Sequence, residues 1–438
     1  MFRPRVLLVG EAANPEWASV PLVGYSHARA LADVADVHLV THLRNRAALL
    51  RAGLVEDRDF TALATDSVVR PLRWLSRRLG AGSGLGWTSV SAFSALSYYR
   101  FEDLLWRRFG ERLRRGDFDI VHRLTPLSPV TPSLLAARCR RIGVPFILGP
   151  LNGGLPWPPG YDRVRLRERE WFSYLRPAYK LLPRHRSTLT DAAAVIAGSR
   201  SIWSEIVGKC RDRCIYIPEN AIDPVRFPPP KARRPSDCLR AVFLGRLVPY
   251  KGPDMLLEAA APMIRDGKLR LTFIGDGPMR ADLEQTVRSL GLKEAVTFSG
   301  WVDQREVHRH LDEADVLAFP SIREFGGAVA LEGMASGAVP IVMDYGGPAE
   351  LVTDECGYQI PMGARSEIIE RLRALTLAIC RDPAQLAPRR EAGYRRVLAS
   401  FTWAAKARQV LEIYRWVLGG RPGKPDFGMP LIDSRTTG

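Results

Sequence analysis

Cysteine is scarce and scattered in this 438-residue chain. Its six thiols, Cys139, Cys210, Cys214, Cys238, Cys356 and Cys380, do not form the dense framework that staples a small secreted fold. Cys210 and Cys214 make a C-x3-C pair, but no second Cys or His pair stands nearby to complete a zinc site. No apolar run reaches the ~18–20 residues that a membrane span needs. The first apolar stretch, Val6-Leu7-Leu8-Val9, is too short for a signal-peptide core and meets Glu11 almost at once, so a cytoplasmic protein is expected. Acidic residues are in deficit, 47 against 63 Lys+Arg, for a net charge of +16. Through Ile222 there are 33 basic and 20 acidic residues, a net of +13; the remainder nets +3. Such a surface suits nucleic acid, anionic membrane or an anionic substrate. No nucleic-acid-binding motif is present, so nucleic acid is not an expected partner.

Strand-like segments alternate with helical ones at residues 6–9, 37–41, 120–122, 146–149 and 194–198, then again at 241–244, 270–274, 296–299, 316–319 and 339–343. That alternation predicts an α/β protein with doubly wound parallel sheets. The break between the two series is the Pro-rich basic stretch Pro228-Pro229-Pro230-Lys231-Ala232-Arg233-Arg234-Pro235. We therefore expect an N-terminal domain over 1–222, a linker over 223–237 and a C-terminal domain over 238–402. A last helix is expected over 403–418, followed by a Gly- and Pro-rich tail, 419–438, expected to be disordered.

Three strand-to-helix loops of the second series carry the chemistry. Gly245-Arg246-Leu247-Val248-Pro249-Tyr250-Lys251-Gly252 places two cations five residues apart before a helix. A planar fork and a point charge at that spacing suit a diphosphate. Phe273-Ile274-Gly275-Asp276-Gly277-Pro278 is a second strand ending in a Gly-rich turn. Arg323-Glu324-Phe325-Gly326-Gly327 then leads into a small-residue helix that carries Glu332. Glu324 would sit at the loop mouth and Glu332 about two turns inside, near the same face. This is where α/β sheets present anion and nucleotide sites.

Taken in order, Gly245-Arg246…Lys251-Gly252, Ile274-Gly275-Asp276-Gly277-Pro278, Phe298-Ser299-Gly300-Trp301-Val302, Glu324-Phe325-Gly326…Glu332-Gly333 and Gly346-Gly347-Pro348-Ala349-Glu350 resemble the donor-binding half of nucleotide-sugar glycosyltransferases of family 4. The likeness runs over roughly 237–401. It implies a GT-B architecture, two Rossmann-like doubly wound domains facing a deep cleft, with the last helix packing back on the first domain. It implies a retaining transfer, of hexosyl type, from a nucleoside-diphosphate sugar to an acceptor hydroxyl, in lipid-linked or cell-surface glycan assembly. Under it Arg246 and Lys251 neutralise the leaving diphosphate, Glu324 holds the sugar and Glu332 the ribose. Phe325, Gly326, Gly327, Gly275 and Val302 line the donor pocket. The same likeness puts a glycine-containing loop, here with Gly24, beside the donor phosphate, and a cleft-facing histidine, His122, at a strand end. A cationic clamp can replace a divalent ion, so no metal and no cofactor is expected. Asp57-Arg58-Asp59 and Asp117-Phe118-Asp119 are formal D-x-D patterns that we do not read as metal sites. Two other readings fit the same motifs: an epimerase or phosphorylase on this fold, and a non-catalytic nucleotide-sugar binder.

Two helical stretches carry many arginines. Residues 67–79 place Val68, Val69, Leu72, Leu75 and Leu79 against Arg70, Arg73, Arg77 and Arg78; residues 98–115 place Phe101, Leu104, Leu105, Phe109 and Leu113 against a second arginine set. A basic amphipathic helix can rest on an anionic membrane. The first is a candidate for peripheral contact with the inner face of a membrane. The second is expected to bury its apolar stripe in the domain.

Overall fold

The structure is a computed structural model and describes residues 3–65, 87–167, 184–230, 238–303 and 306–428. The chain divides into two units: Met1–Gly154, Arg169–Glu219 and Lys406–Gly438 in the first, Leu155–Glu168 and Asn220–Ala405 in the second.

The first unit is built on seven strands: β1 (Arg5–Gly10), β2 (Asp36–His42), β3 (Phe60–Leu63), β4 (Ile120–Thr125), β5 (Phe146–Leu151), β6 (Ala194–Ala197) and β7 (Cys214–Tyr216). They form one sheet in the order β3-β2-β1-β4-β5-β6-β7, with every neighbouring pair parallel. The sequence pattern located five of these strands; β3 and β7, of four and three residues, lie at the two edges. The helix Trp87–Arg114 supplies much of the core. Tyr98, Phe101, Leu105, Phe109 and Leu113, spaced three or four apart, are all buried and join Leu7, Val9, Val121 and Phe146 in one cluster. Each such side chain contributes roughly 1.5–3 kcal/mol of burial. Its arginines stay at the surface, where Arg107 pairs with Asp103 and Arg112 with Asp117. Residues 67–79 fall outside the described residues.

The second unit has six strands: β8 (Leu239–Leu244), β9 (Leu269–Ile274), β10 (Val296–Gly300), β11 (Val316–Phe319), β12 (Val339–Met343) and β13 (Tyr358–Ile360), ordered β10-β9-β8-β11-β12-β13. Successive residues point to opposite faces. Ala241, Phe243, Val316, Ala318 and Ile341 enter one apolar cluster; Val242, Leu244, Leu317 and Val342 enter another. Both faces are therefore covered, as a parallel sheet requires. In each sheet the strand order reverses beside the first strand, between β1 and β4 and between β8 and β11. Those are the topological switch points where such sheets bind ligands, at the carboxyl ends of the strands.

The two units differ from the expected boundaries in three places. The second unit starts at Asn220 rather than after a free linker, because Ile222 donates to the Phe401 carbonyl at 2.7 Å and accepts from the Trp403 amide at 3.2 Å; residues 231–237 fall outside the described residues. Leu155–Glu168, which follows β5, belongs to the second unit. The tail is anchored as far as it is described: Arg421 bonds Glu412 at 2.7 Å, and the Lys424 Nζ donates to the carbonyls of Arg211 and Cys214 at 3.0 and 3.3 Å. The helix Trp403–Val417 is divided between the units at Ala405/Lys406.

Candidate active site

The carboxyl ends of β8 and β11 bring the predicted site residues of the second unit together. Gly275, just past β9, has φ +127°, and a Cβ there would overlap the Gly245 carbonyl oxygen. Glycine lets the two strand-end loops touch. Arg246 follows, exposed, with no hydrogen bond or ion pair to its side chain among the described residues. After the turn Pro249–Lys251 the chain enters the helix Pro253–Arg265. The Lys251 Nζ lies 3.3 Å from Glu324 Oε2 and 5.2 Å from the centre of the Phe319 ring. The two groups, assigned separate roles from the sequence, form an ion pair with side chains 14% and 24% exposed. A low-dielectric pair of this kind is strong enough to order both groups, yet an incoming diphosphate can take the cation.

The Glu324 loop is seated by the Gly346-Gly347 pair. The Gly347 amide donates to the Glu324 carbonyl at 2.9 Å. Gly346 has φ +72°, and a Cβ there would overlap that same oxygen. Gly326 runs against Gly347, and Phe325 lies with its ring centre 4.9 Å from the Arg323 guanidinium. Gly327 begins the helix Ala328–Ala335, and no side chain caps it. The Ala330 amide bonds the Gly327 carbonyl at 2.9 Å, which leaves the amides of Ala328 and Val329 at the helix start to favour anionic oxygen. Within this helix Glu332 keeps some surface. Burial nevertheless pushes its carboxyl up to about 7, against the opposing pull of Arg226 and Lys251. Val302 packs against the second core cluster, next to Trp301, which is 76% exposed.

Two predicted residues, His122 and Gly24, lie in the first unit. His122 is engaged by partners within the first unit. It is fully buried, with Nε2 2.8 Å from the Gly149 carbonyl and Nδ1 2.7 Å from the Tyr414 hydroxyl. A carbonyl can only accept, so Nε2 carries the proton and the Tyr414 hydroxyl donates to Nδ1. Burial lowers the imidazole to about 4, so it is neutral and both nitrogens are committed. Gly24 lies not in a loop but inside the helix Val20–Val34, where a Cβ would overlap the Ala12 carbonyl. It seats that helix against the segment after β1.

Sequence reasoning missed Arg226, which had no motif to signal it, and the contacts of residues 155–157. Leu155, Pro156 and Trp157 lie on the site loops of the second unit. Among the described residues no group of three His, Cys, Asp or Glu side chains is placed to hold a metal ion. In the D-x-D patterns, Asp59 bonds Arg58 and Asp119 bonds Arg5.

Residues 228–378 match the family model described as glycosyl transferases group 1. A D-inositol 3-phosphate glycosyltransferase of Kineococcus radiotolerans is 32% identical over 200 residues, 41% of this chain and 45% of that protein. The chain spans about half the length, or less, of the curated relatives it matches first. A glycosyltransferase from Rickettsia africae superposes with a TM-score of 0.61 at 14% identity, over 96% of this chain and all of that one. Anabaena Alr3699/HepE, solved with UDP, gives 0.60 at 16%, over 93% and 98% of the two chains. The chain thus has the GT-B fold of these structures, and its residues 228–378 are similar to the glycosyl transferases group 1 family.

Proposed function

We propose that the protein is a retaining glycosyltransferase that moves a hexose from a nucleoside-diphosphate sugar to an acceptor hydroxyl in lipid-linked or cell-surface glycan assembly. The observation that carries this reading is the group Arg246, Lys251, Glu324 and Glu332 at the β8/β11 switch point, with an uncapped helix start beside it. The UDP bound by Alr3699/HepE supports it by analogy of fold. In the reaction the bond from C1 to the diphosphate oxygen breaks and a bond from C1 to the acceptor oxygen forms on the same face. The leaving diphosphate takes the acceptor proton. Arg246 and Lys251 stabilise the charge that builds on the diphosphate, assisted by the amides at Gly327–Ala328. Glu324, once Lys251 turns to phosphate, holds sugar hydroxyls and orients the ring. Glu332 accepts from the ribose hydroxyls. No metal is required, because the two cations and the helix start supply the counter-charge. The acceptor is a glycan or lipid-linked glycan, and the basic N-terminal unit rests on anionic membrane at its inner face. No helix among the described residues is long and apolar enough to cross a membrane.

Transfer from labelled nucleotide sugars to extracted glycolipid tests this. Arg246→Ala and Lys251→Ala should each lower turnover by roughly 10²–10³, as loss of a preorganised electrostatic contact does, and activity should persist in EDTA. Near-normal turnover in both variants contradicts the cation assignment; loss in EDTA restored by manganese contradicts the metal-free reaction.

A further inference from the structure

The segment Leu155–Trp157 leaves β5 through Gly153 and Gly154, both at positive φ (+115° and +85°), and packs on three loops of the second unit, those that carry Tyr250, Arg323 and Tyr345-Gly346. The Leu155 carbonyl accepts from Arg323 Nε at 3.2 Å. The Pro156 carbonyl accepts from the Tyr345 hydroxyl at 2.9 Å. Leu155 Cδ2 occupies the space where a Cβ on Gly346 would stand. Trp157 lies edge-on to Tyr250, ring centres 6.3 Å apart, one residue before Lys251. The Arg323 guanidinium lies 4.7 Å from the centre of the Trp157 ring and 4.9 Å from that of Phe325. Tyr161 fixes the same segment further on, donating to the Gly363 carbonyl at 2.9 Å.

Arg323 is bonded directly to Glu324. In this structure the Glu324 carboxylate is held by Lys251. A bound diphosphate draws that lysine away, and Glu324 then needs another restraint to stay aimed at the sugar. A guanidinium within about 5 Å of two aromatic ring centres, with one N–H fixed by a carbonyl, provides it through the backbone. A functional side chain works only when its support holds it within about 0.5 Å.

We propose that Trp157 and Arg323 are positioning residues of the donor-sugar subsite: the Leu155–Trp157 segment grips Arg323 and thereby sets Glu324 for the sugar, without touching the nucleotide. This rests on the donor-site reading given above. It makes residues 155–157, which follow a strand of the other unit in the chain, a determinant of donor-sugar affinity.

Calorimetry on the full chain with UDP, GDP and ADP, and with UDP-glucose, GDP-mannose and ADP-glucose, tests it. For the base that binds, Trp157→Ala and Arg323→Gln should leave the affinity for the diphosphate within about twofold. The affinity for the sugar conjugate should fall on the order of tenfold, the scale of a cation–aromatic contact. Trp157→Phe, which keeps a ring over the guanidinium, should restore most of it, and the melting temperature without ligand reports whether each variant folds. Equal losses for diphosphate and conjugate, or none for either, overturn the positioning role while leaving the donor site standing. Failure of the unaltered protein to bind any of the six overturns the donor-site reading, and this proposal with it.

Discussion

Glu332 and Glu324 differ in their surroundings more than in their chemistry, and the difference can be measured. Burial raises the Glu332 carboxyl to about 7, so near neutrality it is only partly ionised. A carboxylate accepts ribose hydroxyls better than a neutral acid does, so donor affinity should rise between about pH 6 and pH 8. The sugar conjugate is the right probe, because its diphosphate has no titrating terminal oxygen in that range. Stability runs the other way: a carboxyl whose folded pKa is raised contributes fully below its unfolded value and loses that contribution as pH climbs through 7. Glu332→Gln should flatten both profiles, whereas Glu324→Gln, which frees Lys251 from its ion pair, should not weaken binding of the bare diphosphate and should impair only the sugar conjugate. Identical behaviour of the two variants would contradict the division of labour. The sequence placed both glutamates correctly at a loop mouth and inside a helix. It did not disclose the Lys251–Glu324 ion pair, since that depends on how far a flexible lysine folds back from its loop. His122 is a related case: a strand-end histidine looks accessible in sequence, and the Gly149 carbonyl together with Tyr414, on a helix 292 positions away, shows both nitrogens used.

At the level of elements, most strands were legible because they are buried on both faces and read as continuous apolar runs. The exceptions, β3, β7 and β13, have three or four residues each and lie at sheet edges, where pattern has too little length to register. The start of the helix Val20–Val34 was also missed; Pro21 at its first turn is a start signal, but the helix carries no side-chain cap. Gly24 therefore read as loop. The role of the 155–157 segment was illegible because it rests on long-range contacts, to residues 250, 323 and 345–346. The helix Trp403–Val417 yields a direct check on the structural role given to His122. Tyr414→Phe removes the hydroxyl that satisfies Nδ1 and leaves a buried acceptor unpaired, which costs about 1–3 kcal/mol. Denaturant unfolding should show that loss while turnover per folded molecule stays level. A selective fall in turnover with unchanged stability would return His122 to the reaction.

Over the whole molecule, the charge asymmetry read from composition is partly neutralised in place. In the N-terminal unit Arg3, Arg5, Arg44, Arg46, Arg51 and Arg58 each face an acidic partner. Exposed pairs of this sort add little stability, but they reduce the positive field that residues 3–58 would otherwise present. In the second unit, nearly balanced in charge, Arg246 is exposed and Lys251 is paired with Glu324. The central claim is that this unit holds a nucleoside-diphosphate sugar, and ligand-induced stabilisation tests it most directly. In a thermal-shift panel of UDP, GDP, ADP and their hexose conjugates, one base should stand out, with a gain of about 2.7 kcal/mol at one hundred times its dissociation constant. That gain should shrink in Glu332→Ala. No stabilisation by any of these compounds at millimolar concentration, or an equal gain in Glu332→Ala, would contradict the account.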